Sequence, residues 1–288
     1  MGDFGASLSK KALRWTDKRL RGVYHQAERE ITEKLADFNR KFEEKSKELL
    51  KQVDDGLITK QDYAAWASIK VFQQKQWKDK LEQVQKILFD HDRESVKIIK
   101  DKQLDVFAGN YNFLARKTER LTNISFNMVD SHTVARLIAK EPRLLPMWKV
   151  SEEKEYKWSA KKAQNAITQG IIQGESVPDI TKRLAEQLCS DANSRMEMFA
   201  RTAVTGAENA GRMEMLHDAK EMGIKVHKVW QATYDDRTRD SHMELDGEEV
   251  EVDEEFSNGL MYPGDPSGDP SEVYNCRCTL RYIYPDFE

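Results

Sequence analysis

Residues 20–50 read LRGVYHQAEREITEKLADFNRKFEEKSKELL, and the spacing of their apolar side chains decides the fold class. Leu20, Tyr24, Ala27, Ile31, Leu35, Phe38, Phe42 and Leu49 fall mostly three or four residues apart, and most positions between them are charged or polar. That is the period of a helix with one apolar stripe, and it predicts a single long helix over about residues 7–53. The helix should stop at Asp54-Asp55-Gly56, where glycine can take the left-handed conformation of a C-terminal cap. Thr59 with Asp62 three residues on is a capping-box signal for a restart. The next helix, about residues 60–102, carries Trp66, Ile69, Trp77, Leu81, Val84 and Leu88 at spacings suited to packing on the first. Helices of about 40 residues span about 60 Å, so the N-terminal region is expected to be an elongated helical hairpin or bundle. No e/g charge code accompanies the apolar positions, which disfavours a long parallel coiled coil.

Outward from this hairpin the patterns weaken. Gly109, Pro142 and Pro146 interrupt residues 109–150, which read as a hinge ending in an apolar anchor, Leu144-Leu145-Pro146-Met147-Trp148. A helix is expected over 152–173. Ser176 as N-cap, Pro178 in the first turn and Asp179 at N3 start another, and a further helix is expected over 192–222. The last 66 residues change character: 225–233 reads as a strand, Asp246-Gly247 as a hairpin turn, and 275–284 as a closing strand. Between them lies a turn-rich loop in which Gly-Asp-Pro-Ser occurs twice, at 264–267 and 268–271. The expected fold is therefore mainly α with a small C-terminal α+β domain, divided as 1–150, 151–222 and 223–288.

The composition agrees. Of 288 residues 33% are charged and 39% hydrophobic, with a mean hydropathy of -0.75, which suits long solvated helices better than an enzyme barrel. No apolar run is long enough to cross a bilayer and the start lacks the apolar core of a signal peptide, so a soluble cytosolic protein is expected, with no membrane partner. Three unevenly spaced cysteines, Cys189, Cys276 and Cys278, do not make a disulfide scaffold. Lys and Arg outnumber Asp and Glu by 8 in residues 1–150, while acids exceed bases by 1 in 151–220 and by 11 in 221–288. A basic arm and an acidic C-terminal module should meet different partners.

One ordered set of residues stands out: Trp230, then Asp235-Asp236-Arg237-Thr238-Arg239-Asp240-Ser241-His242, Asp246-Gly247, Tyr262-Pro263 and Asn275-Cys276-Arg277-Cys278. With Ala200-Arg201-Thr202 and Glu208-Asn209-Ala210-Gly211-Arg212 upstream, it resembles the C-terminal domain of phage Mu F-like head morphogenesis proteins. It departs from the family at Ala203, where an acidic residue often follows the Arg-Thr pair. The resemblance covers about residues 155–288, and the helical half, with its Gly56-to-Thr59 turn, is similar in layout to minor head proteins of tailed phages. It implies a minor capsid protein that associates with portal and capsid proteins during head assembly and can contact DNA. It also implies a place in the virion head interior, reached from the host cytoplasm.

Read physically, Cys276 and Cys278 on a strand point to one face, and His242 with Asp236 or Asp240 would complete a tetrahedral zinc site. Thiolates disfavour calcium and magnesium. A packed Cys/His cluster without metal is the alternative. Either would act as a staple for residues 221–288, which are too acidic and turn-rich to hold together on a small core alone. No H-E-x-x-H motif, phosphate-cradling glycine loop or nucleophile elbow occurs, and a strongly acidic module repels nucleic acid, so no enzyme is expected. The reading from another class is a metal-dependent hydrolase or toxin-like enzyme carried in the capsid, with His242 as general base, Asp235 or Asp236 on a metal and Arg239 on a phosphate. A general DNA-binding adaptor is the third. Near the start, Lys10, Lys11, Arg14, Lys18, Arg19 and Arg21 form a basic segment that would contact DNA or an acidic protein partner, or form a solvated helix face.

Overall fold

The computed structural model describes residues 4–287. The first helix, α1 (Phe4–Asp54), ends where expected, with Gly56 at φ 70° in the turn that follows. Thr59 and Asp62 form the expected reciprocal capping box at the start of α2 (Lys60–Ala65). The helix then widens into a π-helical stretch, Trp66–Phe72, before α3 (Lys75–Thr122). This insertion corrects the apolar pattern read from sequence. Each π turn takes an extra residue, which rotates the stripe, so Ala67, Val71 and Phe72 turn inward and Ile69 is left exposed. The expected hinge is also smaller than it looked. α3 runs through Gly109 to Thr122, because that glycine lies against the Leu8 side chain, whose Cδ2 would be 2.9 Å from an added Cβ.

After an extended segment, Asp130 caps α4 (Ser131–Lys140) by accepting the Thr133 N–H at 2.7 Å. α5 (Glu152–Gln173) ends at Gly174, which takes the left-handed cap, while Gly170 packs on Ile180. The helix expected to start at Ser176 and the one expected over 192–222 are one, α6 (Val177–Glu221). Ala200, Ala203, Ala207 and Ala210 are buried along it, where alanine, the strongest helix former, adds little bulk to a crowded face. The small sheet is antiparallel with order β2-β1-β3, from β1 (His227–Gln231), β2 (Glu249–Glu251) and β3 (Thr279–Ile283). Two short helices, α7 (Asp240–Glu244) and α8 (Pro270–Val273), lie in its connections. Cys276 and Cys278 therefore precede the closing strand rather than lying in it.

The chain forms two compact units, each assembled from separated segments. One comprises Leu20–Val96 and Lys149–Met196. Its core is the stripe read from the sequence, with Phe38 facing Phe72 and Trp77 at ring distances of 6.4 and 5.4 Å. Asp92, 1% exposed, accepts the Tyr24 hydroxyl and one guanidinium N–H of Arg195 at 3.2 Å, and Arg195 also reaches Glu155 at 2.7 Å. Burial pushes the Asp92 carboxyl up to about 6.

The other unit comprises the segment ending at Arg19, Lys97–Trp148 and the segment from Glu197 onward. Phe107, Leu114, Leu145, Leu216, Trp230, Phe256 and Leu280 form its core, so Leu145 is the anchor expected of the connector. Within it α3 and α6 meet backbone to backbone, since a Cβ on Gly211 would stand 2.4 Å from the Phe107 carbonyl oxygen. Among the described residues no helix is long and apolar enough to cross a membrane.

Candidate metal centre

The site is held by α6. Asn209, fully buried, donates through Nδ2 to the carbonyls of Pro263 (2.8 Å) and Cys278 (3.1 Å) and accepts the Leu280 N–H at 2.8 Å. One helical turn on, the buried Arg212 donates to the Leu280 carbonyl (2.8 Å), to Glu208 (3.0 Å) and to Asn110 (3.4 Å). Thr279 gives its hydroxyl hydrogen to Glu208 at 2.9 Å. Thr202 accepts the Asn275 N–H at 3.0 Å, and Arg201 donates to the Asn275 side chain at 2.8 Å. Asn275 sits at φ 59°, in the left-handed region that asparagine tolerates better than most residues. The Glu208-to-Arg212 motif is thus an anchor for the closing strand, and through it for the two cysteines.

From the other side the Asp235-to-His242 segment docks on the same stretch. Arg277 donates to both Asp235 carboxylate oxygens through its two terminal guanidinium nitrogens, and Arg239 donates to the Tyr274 carbonyl at 2.5 Å. Thr233 donates to the Arg277 carbonyl at 2.6 Å. Asp246-Gly247, expected as a hairpin turn between strands, instead links α7 to β2: Gly247 takes φ 84° and its N–H returns to the Trp230 carbonyl at 2.9 Å. These bonds set α7 so that His242, 1% exposed, enters the core edge-on to Trp230 with ring centroids 5.1 Å apart.

His242, Cys276 and Cys278 come together here. Nδ1 of His242 lies 3.7 Å from Cys276 Sγ and 3.5 Å from Cys278 Sγ, and one ligand atom from each residue falls within 4.8 Å of the others. On the far side of the ring, Nε2 meets the Glu272 carboxylate at 2.8 Å. A carboxylate only accepts, so Nε2 carries a proton, and the tautomer with its single proton there turns the Nδ1 lone pair toward the sulfurs. A hydrogen bond from the Cys276 thiol lowers Cys278 despite its burial. The same hydrogen bond and burial raise Cys276. Such a set can hold a soft divalent cation.

The carboxylate expected beside this cluster is not the one found. Asp236 and Asp240, expected to complete the tetrahedron, are exposed and outside it, and the carboxylate that His242 meets is Glu272, behind the ring rather than beside the sulfurs. Its signal was in the second Gly-Asp-Pro-Ser repeat, where Asp269 as N-cap and Pro270 at N1 start α8 and put Glu272 at N3. The six basic residues near the start are all exposed along α1. At about 100° per residue, Lys10, Lys11, Arg14, Lys18 and Arg21 fall within about 100° of arc, and Arg19 stands apart, 5.9 Å from the Trp15 ring.

Arg277, hydrogen-bonded to the Asp235 carboxyl, holds it well below the usual carboxylate range. A depressed carboxyl stabilises the fold above its unfolded pKa and loses that contribution as pH falls toward its folded one. The stability advantage of the wild type over Asp235→Asn should therefore be constant above about pH 4 and shrink below it. Urea titrations at several pH values test this; an undiminished advantage at about pH 3 would mean that the charge is not what matters.

Comparison with known proteins follows the same residues. Residues 161–281 match the family described as Phage Mu protein F like protein. The protein named NAD(+)--arginine ADP-ribosyltransferase EFV of Enterococcus faecalis is 38% identical over 130 residues, covering 43% of this chain and 26% of that protein. The minor head protein GP7 of Bacillus phage SPP1 is 30% identical over 165 residues, covering 56% of this chain and 52% of its own length. The uncharacterized protein YqbB of Bacillus subtilis is 32% identical over 124 residues, 41% of this chain and 39% of YqbB. The chain thus spans about half or less of the relatives it matches. No solved structure matches it. The signature from Trp230 to Cys278 lies within the residues that match the Mu F-like family model.

Proposed function

From a chain whose residues 161–281 are Mu F-like, we propose a minor capsid protein of a tailed phage that acts in head assembly by binding portal and capsid proteins, without catalysis. What carries this reading is where the signature side chains go. Asp235 with Arg277, Arg239 with Tyr274, His242 with Glu272, and Glu208, Asn209 and Arg212 with the closing strand all bond within the protein. A general base needs access to a substrate proton, and His242 is 1% exposed. Arg239 is engaged with a backbone carbonyl rather than directed at a phosphate site. The activity in the name of the enterococcal relative belongs to a protein of which this chain covers 26%, so most of that protein lies outside the match.

The exposed basic face of α1 is the surface we assign to the partner. Five cations on one face favour an acidic protein surface or phosphates, and both attractions weaken with salt. The place of action is the virion head, with DNA as a second contact of the same face. Co-expression with the portal protein tests the reading: the two should co-purify at low salt, and reversing Lys10, Arg14 and Lys18 to glutamate should release them. A chain that stays free of the portal at low salt would overturn the assembly reading. Binding to DNA alone, with a salt slope flattened by the same reversals, would turn it into a DNA adaptor.

A further inference from the structure

The geometry points to a structural zinc site in which Nδ1 of His242 and Sγ of Cys276 and Cys278 are the protein ligands, with Glu272 fixing the imidazole from outside. Zinc binds sulfur at about 2.3 Å and histidine nitrogen at about 2.0–2.1 Å. For tetrahedral angles those bond lengths put nitrogen and sulfur about 3.6 Å apart. The two separations here are 3.5 and 3.7 Å. The two nitrogen–sulfur edges thus already have the length that a zinc tetrahedron needs, and the two sulfurs lie within 4.8 Å of each other.

Chemistry selects the ion. Two thiolates and an imidazole are a soft set that holds zinc and rejects calcium and magnesium, which take hard oxygen ligands. The Glu272 contact at Nε2 is what a ligating histidine needs on its far side: it fixes the tautomer and the ring orientation and makes the other nitrogen a better donor. Burial gives the site its role. His242, Cys276 and Cys278 are 1%, 2% and 3% exposed, and Trp230 covers the ring. An ion there joins α7 to the segment entering β3, so the early and late parts of the acidic C-terminal region close on one point, and ligand binding adds directly to folding free energy. This site is independent of the portal reading, and its test involves no phage partner.

The full chain, purified under reducing conditions without chelator, should carry one equivalent of zinc by elemental analysis. Removing it with a chelator should lower the melting temperature by roughly 5 °C or more, and added zinc should restore it. Cys276→Ser and Cys278→Ser should each lose the metal, and Cys189→Ser should keep it. Glu272→Gln should keep the stoichiometry with about 10–100-fold weaker affinity. Should the serine variants fail to fold, cobalt(II) added to the metal-free wild type gives the same answer through a thiolate-to-cobalt charge-transfer band. A folded wild type that takes up neither zinc nor cobalt, or a folded double-serine variant that retains a full equivalent, would overturn the site in favour of a dry thiol–imidazole cluster.

Discussion

Replacing Arg212 by methionine is expected to cost about 3–5 kcal/mol of folding stability, measured by urea unfolding. Methionine keeps much of the aliphatic stem, so the effect is mainly the loss of the guanidinium. Its bonds to the Leu280 carbonyl, Glu208 and Asn110 all lie in the interior, with the side chain 2% exposed. After the change, Glu208 keeps only the Thr279 hydroxyl and is left as a buried charge without its cation. Breaking one side of a buried pair is far worse than never having had it. The double variant Arg212→Met with Glu208→Leu should therefore recover part of the loss. A single variant that loses less than about 1 kcal/mol would show that the guanidinium behaves as a surface charge.

Asn209→Asp should be nearly as damaging although it changes no volume. The substitution keeps the acceptor for the Leu280 N–H but turns the amide that donates to the Pro263 and Cys278 carbonyls into a carboxylate oxygen facing them. Two lost donors and a buried charge should cost about 3 kcal/mol or more at neutral pH. Burial opposite carbonyl oxygens disfavours the charged form, which raises the folded pKa above the unfolded value of about 3.9. Stability relative to the wild type should then fall as pH rises from about 4. Unfolding at acidic and neutral pH checks this, and an equal loss at both would remove the charge from the explanation. Hydrogen exchange at the β3 amides should increase in the same variant, because α6 no longer holds that strand.

Much of the site could be read from residue types alone. His242, Cys276 and Cys278 are the kinds of side chain that soft metals use, and the ordered signature around them matches the Mu F-like family. Their carboxylate was misplaced because acidic residues are abundant in this region and sequence does not say which one faces inward. Asp236 and Asp240 are nearer to His242 in the chain than Glu272, yet they face solvent. The role of Glu208, Asn209 and Arg212 was invisible for a related reason: polar residues on a helix look solvated until a strand some 70 residues later, at β3, is laid across them.

What the sequence determined by itself is whatever depends on near neighbours in the chain. The period of Leu20 to Phe42 made α1, Asp54-Asp55-Gly56 ended it, and Thr59 and Asp62 capped α2. Helix periodicity, caps and turns are local physics, decided within a few residues. Tertiary structure alone decided that Gly109 does not break α3 and that α6 continues past Ala192, since a glycine or a run of small residues can mark either a break or a close approach, and only the packed partner says which. It also decided the π-helical shift that exposes Ile69, and the choice of Glu272 for His242. Those outcomes rest on contacts between residues distant in sequence, whose energies no local pattern encodes.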